Sequence, residues 1–337
     1  MKDKTLIVGP AWVGDMVMAQ ALFRTIKSRY PNTLIDVLAP EWSRPLTDRM
    51  PEINTSIVLP LKHGELGLAT RYKIGKSLIG QYQRCFVLPN SFKSALIPFW
   101  ANIPTRIGWR GEWRYSLLNK MRILNKRLYP LMVQRYIALA YEVFESLPQK
   151  LLKPKLVANQ ENLQNALTRY QLSLEKPILI LCPGAEFGPS KRWPTEYYAE
   201  VANHFISNGY QIWIIGSSKE RDIAQHIQSL TEQQSIDLTG KTTLADAIDL
   251  MSQATLVVTN DSGLMHIAAA LQRCVIAVYG STDPGFTPPL SQRAVILREK
   301  LSCSPCFKRE CPLKHHDCMK KLSAQKVILA AEKLVRA

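Results

Sequence analysis

Several short stretches of this chain combine residue types that can do chemistry. One is Asp15 within Gly9-Pro10-Ala11-Trp12-Val13-Gly14-Asp15-Met16. A carboxylate in the first turn of a helix can simply cap that turn and suit its positive end. It can also act as a general base, taking a proton from an attacking hydroxyl. A second stretch runs from Cys182 to Pro194 and holds Gly184, Gly188, Lys191 and Arg192. Two glycines and two adjacent cations allow close approach of phosphates, although a solvated basic loop would look the same. A third is Thr259-Asn260-Asp261-Ser262-Gly263-Leu264-Met265-His266. Free amides near Ser262 and Gly263 at a helix start suit a pyrophosphate. Asp261 repels phosphate and is better suited to sugar hydroxyls; His266 reads as a structural histidine. Glu220 could bond ribose hydroxyls or be an exposed acid at a helix start.

Two further clusters stand out. Between Arg106 and Arg135 lie eight cations (Arg106, Arg110, Arg114, Lys120, Arg122, Lys126, Arg127 and Arg135) against one acid, Glu112. Trp109, Trp113, Tyr115 and Tyr129 are interleaved. Such a stretch fits a membrane-surface patch, a polyanion site or a plain basic surface. Near the C-terminus come Cys303-Ser304-Pro305-Cys306, then Cys311, His315, His316 and Cys318. The spacing admits zinc but is not that of a standard ribbon. Reduced structural cysteines are the expected state, and no metal is assigned.

These residues need a frame that brings strand ends together. Short β-branched runs alternate with helix-period segments in two successive blocks, which predicts α/β architecture with doubly wound parallel sheets. In the first block strands are expected at Thr5–Val8, Leu34–Leu38, Ser56–Leu59 and Cys85–Leu88. In the second they are expected at Ile178–Cys182, Gln211–Ile215, Ser235–Leu238, Leu256–Thr259 and Val275–Tyr279. A helix near Val133–Glu145 should end the first block, and another over Ala324–Val335 should close the chain. Ligands of open α/β sheets bind outside the strand C-termini, so a cleft between two such domains is the expected active site.

The composition narrows the partners. Lys and Arg total 43 against 27 acids, a net charge of +16, which points to an anionic partner. No apolar run reaches the ~18 residues that a membrane span needs. The N-terminal segment reads as a strand rather than a secretion signal, so a cytoplasmic protein is expected. Gly75-Lys76-Ser77 lacks the leading glycine of a phosphate loop, since position 70 is Thr, and no G-x-G-x-x-G follows the first strand. A P-loop kinase and a dinucleotide-dependent dehydrogenase therefore lose ground.

Taken in order, four blocks resemble the ADP-heptose:lipopolysaccharide heptosyltransferases. They are Gly9–Met16 with its Val-Gly-Asp turn, Pro183–Pro194 with Gly-Pro-Ser-Lys-Arg-Trp-Pro, Asn260–Leu271 with Asp-Ser-Gly-Leu-Met-His, and the Cys303–Cys318 pattern. Each alone is weak; the ordered set spans nearly the whole chain and is specific. The resemblance implies a GT-B fold of two Rossmann-like domains. Residues 1–160 would bind the acceptor, residues 161–322 the donor, and a helix over 323–337 would pack back on the first domain. It implies Asp15 as catalytic base, Lys191 on the donor phosphates, Asp261, Ser262 and Gly263 in the donor site, Glu220 on the ribose and Thr242 on the adenine side. It also implies a single inverting displacement without metal or other cofactor, with ADP-L-glycero-β-D-manno-heptose as co-substrate. The acceptor would be phosphorylated heptosyl-Kdo2-lipid A at the anionic inner face of the inner membrane, with Arg110, Arg114 and Arg122 on the acceptor side. The dipole of the helix behind Asp15 should make that carboxylate a weak base at rest. The rival readings are a heptosyltransferase for another core position, a nucleotide-sugar epimerase of the same architecture, and a nucleic-acid-binding protein.

Overall fold

The computed structural model describes residues 3–62 and 64–336; Met1, Lys2, His63 and Ala337 fall outside it. The chain forms two compact units, Met1–Leu156 and Val157–Ala337, dividing four residues before the expected boundary. Each unit is built on one six-stranded parallel sheet.

The first sheet uses β1 (Lys4–Val8), β2 (Leu34–Pro40), β3 (Ile53–Leu59), β4 (Arg84–Val87), β5 (Thr105–Trp109) and β6 (Lys120–Arg122), in the order β3-β2-β1-β4-β5-β6. Its helices are α1 (Val13–Arg29), α2 (Arg44–Thr47), α3 (Leu68–Ser77), α4 (Leu96–Trp100) and α5 (Met132–Ile137). The second sheet uses β7 (Ile178–Cys182), β8 (Gln211–Ile214), β9 (Ser235–Asp237), β10 (Leu256–Asn260), β11 (Cys274–Tyr279) and β12 (Ala294–Arg298), in the order β12-β11-β10-β7-β8-β9. Its helices are α6 (Gln160–Arg169), α7 (Thr195–Ser207), α8 (Arg221–Leu230), α9 (Leu244–Met251), α10 (Gly263–Ala270), α11 (Asp317–Lys320) and α12 (Ala324–Arg336).

The strand sequences explain the sheets. Leu6, Ile7, the whole of β7 and the whole of β11 are buried. Continuous apolar runs of this kind are what parallel strands covered on both faces require. In both units the first strand sits centrally, the next two extend to one side, and the fourth returns to its other flank. That reversal, between β1 and β4 and between β7 and β10, is where open α/β sheets hold ligands.

Five elements differ from expectation. β5 and β6 lie inside the basic stretch, and β12 forms an edge. The expected helix over 133–145 ends early: α5 stops at Ile137, and Ala138–Ala140 continue it only as a 3-10 turn. The closing helix was expected to pack on the first domain. Instead Ala324, Val327, Ile328 and Ala331 form a buried stripe that joins the second unit's core with α7 and β11. Its polar side is tied there too, through Glu332 to His204 (2.9 Å).

α6 belongs to the second unit for a specific reason. Asn159 caps it by accepting from the Asn162 amide (2.9 Å). The Asn159 amide and the Asn162 side chain then donate to the buried Asp249 carboxylate at 2.9 and 2.8 Å.

Candidate active site

In the second unit the candidate donor residues converge at the switch point. Lys191 follows β7 on a 3-10 turn, Pro189–Lys191, and Asp261 follows β10. Lys191 Nζ donates to Asp261 Oδ2 at 2.6 Å, and Thr282 Oγ1 donates to the same oxygen at 2.6 Å. Both partners are largely buried, so the pair is a charge-assisted contact in a region of weak screening. Lys191 Nζ also lies 4.9 Å from the Phe187 ring centroid. An anion arriving here would meet the ammonium directly. Asp261 is the ion-pair partner of that ammonium.

Asn260 was singled out only as part of a motif, yet it fixes this corner. Its side-chain amide donates to the Pro183 carbonyl (2.7 Å), and its Oδ1 accepts from the Trp193 amide (3.1 Å). One buried asparagine thus ties both ends of the Lys191 loop to β10. Ser262 is the N-cap of α10 but makes no side-chain cap bond, so it does not cap the first-turn amides of that helix. His266 is buried one turn on. Its pKa is pushed down to about 4, chiefly by burial, with Lys191 adding to the effect and Asp261 opposing it. A neutral structural histidine, as the sequence suggested, fits that position.

Glu220 is not the exposed acid that the plainer reading allowed. It is 4% exposed. Its Oε2 accepts from the Ser217 amide (2.8 Å) and from Ser217 Oγ (2.6 Å). A Cβ on Gly184 would stand 2.7 Å from the Glu220 carboxyl carbon, so the glycine after β7 is what lets this carboxylate reach the strand ends. Thr242, half-buried, lies on the loop after β9. That loop is held by Gly240, whose amide donates to the Gly216 carbonyl at 3.0 Å. Gly240 has φ 63 and would place a Cβ 2.8 Å from Ser218, so only glycine brings the two loops this close. Lys191, Glu220, Thr242 and Asp261–Gly263 therefore all lie at the C-terminal ends of four neighbouring strands.

In the first unit, Asp15 follows β1 in the opening turn of α1. The dipole there favours a low pKa, but burial wins. The Asp15 pKa is raised to about 6, chiefly by desolvation, while a hydrogen bond from the Tyr136 phenol on α5 opposes the rise. Tyr136 is itself buried, and its pKa is driven well above the usual phenol range by burial and by Asp15. It therefore stays a proton donor to the carboxylate. Tyr136 was not legible as a site residue, since 121 positions separate it from Asp15. Asp15 is thus a better base at rest than expected, ionised at neutral pH and protonated below about 6.

The proposed acceptor arginines divide. Arg110 is exposed. Arg114 is fully buried; its guanidinium donates to the carbonyls of Pro89 (2.6 Å) and Trp109 and to Asn90 Oδ1 (3.1 Å). Desolvation lowers its pKa to about 10. Arg122 is also buried and donates to the Ala138 carbonyl (2.5 Å). The expectation that Arg114 and Arg122 present free charge to an acceptor is corrected: both are consumed in holding β4, β5, β6 and the turn after α5. Arg106 and Arg135 likewise donate to main-chain carbonyls, at 2.7 and 3.0 Å. The exposed cations of the stretch are Arg110, Lys120, Lys126 and Arg127, accompanied by Trp113 at 86% and Tyr115 at 62% exposure.

All seven cysteines are free, with Cys85, Cys182 and Cys274 buried. Among the described residues no three His, Cys, Asp or Glu side chains are drawn up around one point as metal ligands. Among the described residues no helix is long and apolar enough to cross a membrane.

The glycosyltransferase family 9 (heptosyltransferase) profile matches residues 71–316. The chain is 48% identical over 335 residues to lipopolysaccharide heptosyltransferase 2 of Escherichia coli, covering 96% of each. It is 50% identical over 305 residues to lipooligosaccharide heptosyltransferase 2 of Haemophilus influenzae, covering 87% of this chain and 88% of that one. The solved structure of E. coli ADP-heptose LPS heptosyltransferase II superposes with a TM-score of 0.89 at 45% identity, covering 99% of this chain and 98% of the other. The expected α/β, GT-B-like fold class is thereby met, and the epimerase reading is not favoured. With two Rossmann-like sheets, a cation and helix amides at one switch point, and a half-buried carboxylate at the other, this chain belongs to glycosyltransferase family 9, the heptosyltransferases.

Proposed function

We propose that the chain transfers L-glycero-D-manno-heptose from ADP-L-glycero-β-D-manno-heptose to the first heptose of the lipopolysaccharide inner core, with inversion and without a metal. The single observation that carries the donor half is the Lys191–Asp261 pair at the β7/β10 switch point beside the first turn of α10. Lys191 and the amides near Ser262 and Gly263 bind the pyrophosphate and stabilise charge growing on the departing ADP. Asp261 accepts hydroxyl hydrogens of the sugar, Glu220 those of the ribose, and Thr242 lies toward the adenine.

Asp15 carries the acceptor half. Its carboxylate takes the proton from the attacking hydroxyl, that oxygen bonds to the anomeric carbon, and the bond from that carbon to ADP breaks. Tyr136 keeps one lobe of the carboxylate hydrogen-bonded throughout. The exposed cations Arg110, Lys120, Lys126 and Arg127, with Trp113 and Tyr115, support contact with a phosphorylated glycolipid and with the anionic cytoplasmic face of the inner membrane.

The test is mass spectrometry of truncated core lipid incubated with ADP-heptose and protein. Wild type should add one heptose to the acceptor, and Asp15→Asn should add almost none. Equal product from both would remove Asp15 from its role; consumption of donor without acceptor would count against transfer.

A further inference from the structure

A second cation reaches the Lys191 loop from the C-terminal segment, whose main chain is fastened at two places. Ser304 Oγ donates to the Gly280 carbonyl at 2.6 Å and the Phe307 amide to the Ser281 carbonyl at 2.7 Å, which ties the segment to the end of β11. The Ser190 amide donates to the Arg309 carbonyl (3.1 Å), and the buried Ser190 Oγ donates to the Lys308 carbonyl (2.5 Å). These bonds tie it to the turn that carries Lys191. Gly188, at φ 153, lets the two main chains touch: a Cβ there would stand 2.5 Å from the Arg309 carbonyl oxygen and 3.1 Å from its Cα.

From this fixed base the Arg309 guanidinium reaches Phe187, with Cζ 5.8 Å from the ring centroid. Lys191 Nζ lies 4.9 Å from the same centroid. Two cations therefore share one aromatic ring on the loop that follows β7. Their circumstances differ. Lys191 is engaged with Asp261 at 2.6 Å. Arg309 is exposed, and among the described residues no carboxylate pairs with it. Glu186, next to Phe187, is engaged by Lys219 at 2.6 Å. The charge of Arg309 is left for an incoming anion.

We propose that Arg309 is a second cationic ligand of the donor diphosphate. The inference rests on the donor-site reading given above. The diphosphate is anionic when it arrives and gains charge as its bond to the anomeric carbon breaks. One lysine already paired with an aspartate compensates that charge only in part. A guanidinium adds parallel N–H donors to two phosphate oxygens, which an ammonium cannot do. The Arg309 side chain thus acts by contact and its carbonyl by holding the turn, and substitution separates the two roles.

Isothermal titration calorimetry of the full-length chain with ADP tests this. Arg309→Ala should weaken ADP binding by about tenfold or more, as for loss of a hydrogen bond to a charged group. Lys308→Ala removes the neighbouring cation and keeps the same carbonyl grip; it should bind ADP within about twofold of wild type. Arg309→Gln, which keeps most of the stem and removes the charge, should lose affinity as alanine does and repeats the test should alanine disturb the loop. Wild-type affinity in both Arg309 variants, or an equal loss in Lys308→Ala, would overturn the proposal while leaving the donor site in place. A wild-type chain that binds no ADP would remove the donor assignment and this inference together.

Discussion

Asp15→Asn should do two things that ordinarily conflict: abolish turnover and strengthen the fold. The carboxyl has a pKa of 3.8 when unperturbed and about 6 in the folded protein. Folding therefore holds a proton on Asp15 between about pH 4 and pH 6 that the unfolded chain has already released. The folded state binds more protons in that window, so stability falls as pH rises through it. Above pH ~6 the ionised carboxylate costs at most about 3 kcal/mol, from roughly 2 pKa units at 1.36 kcal/mol each. Half-burial of the side chain trims that to about 1–3 kcal/mol. Asparagine carries no charge and still accepts from Tyr136. Urea unfolding, followed by tryptophan fluorescence at pH 7.5 and again near pH 4, checks the sign. The Asn variant should be more stable by ~1–3 kcal/mol at pH 7.5 and close to wild type near pH 4. Over the same range wild-type kcat/KM should rise with pH through about 6, and the variant should be about 10²–10⁴-fold slower at pH 7.5. Equal stability of the two proteins at both pH values would refute the argument that burial holds this carboxyl above its ordinary range.

Other outcomes follow from particular contacts. Tyr136→Phe removes the donor that restrains the Asp15 pKa, so the acid limb of kcat/KM should move upward from about 6 while the high-pH plateau falls less. Gly184→Ala places a methyl 2.7 Å from the Glu220 carboxyl carbon; calorimetric ADP affinity should drop by about tenfold, as for loss of one charged hydrogen bond, with the urea midpoint nearly unchanged. Arg114→Leu strips three carbonyl acceptors of a buried cation and should cost about 3 kcal/mol or more in unfolding free energy. Arg110→Ala should leave stability within about 0.5 kcal/mol and raise the acceptor KM more than the donor KM.

The frame was readable because parallel strands buried on both faces are continuous apolar runs, as in β7 and β11. The strands that escaped lack that signature. β6 is Lys120-Met121-Arg122, and β12 is a half-buried edge; neither stands out by composition. The helix expected to Glu145 ends early although its sequence is periodic. Past Ala140 the chain is held by long-range ion pairs, Glu145 with Arg29 (3.2 Å) and Glu142 with Lys120 (3.5 Å). The candidate donor residues stood out as a group because each lies on the segment that follows a strand of the second sheet. The basic stretch was misread because a count of arginines cannot distinguish one that meets solvent from one that meets a ring of carbonyls. That distinction exists only once β4, β5 and the turn at Pro89 are assembled. The Asp15 environment was hidden for the same reason, since Tyr136 reaches it through tertiary packing alone.

The grip on the Ser190 turn comes from the oxygens of Lys308 and Arg309, not from their side chains. Such a handhold is indifferent to spelling and sensitive to length. Exchanging either residue for another should leave Lys191 where it is. Adding or removing a single residue between Cys306 and Cys311 would slide the carbonyl row out of step and carry Lys191 away from Asp261. Drift along this segment should therefore accept new letters far more readily than gaps.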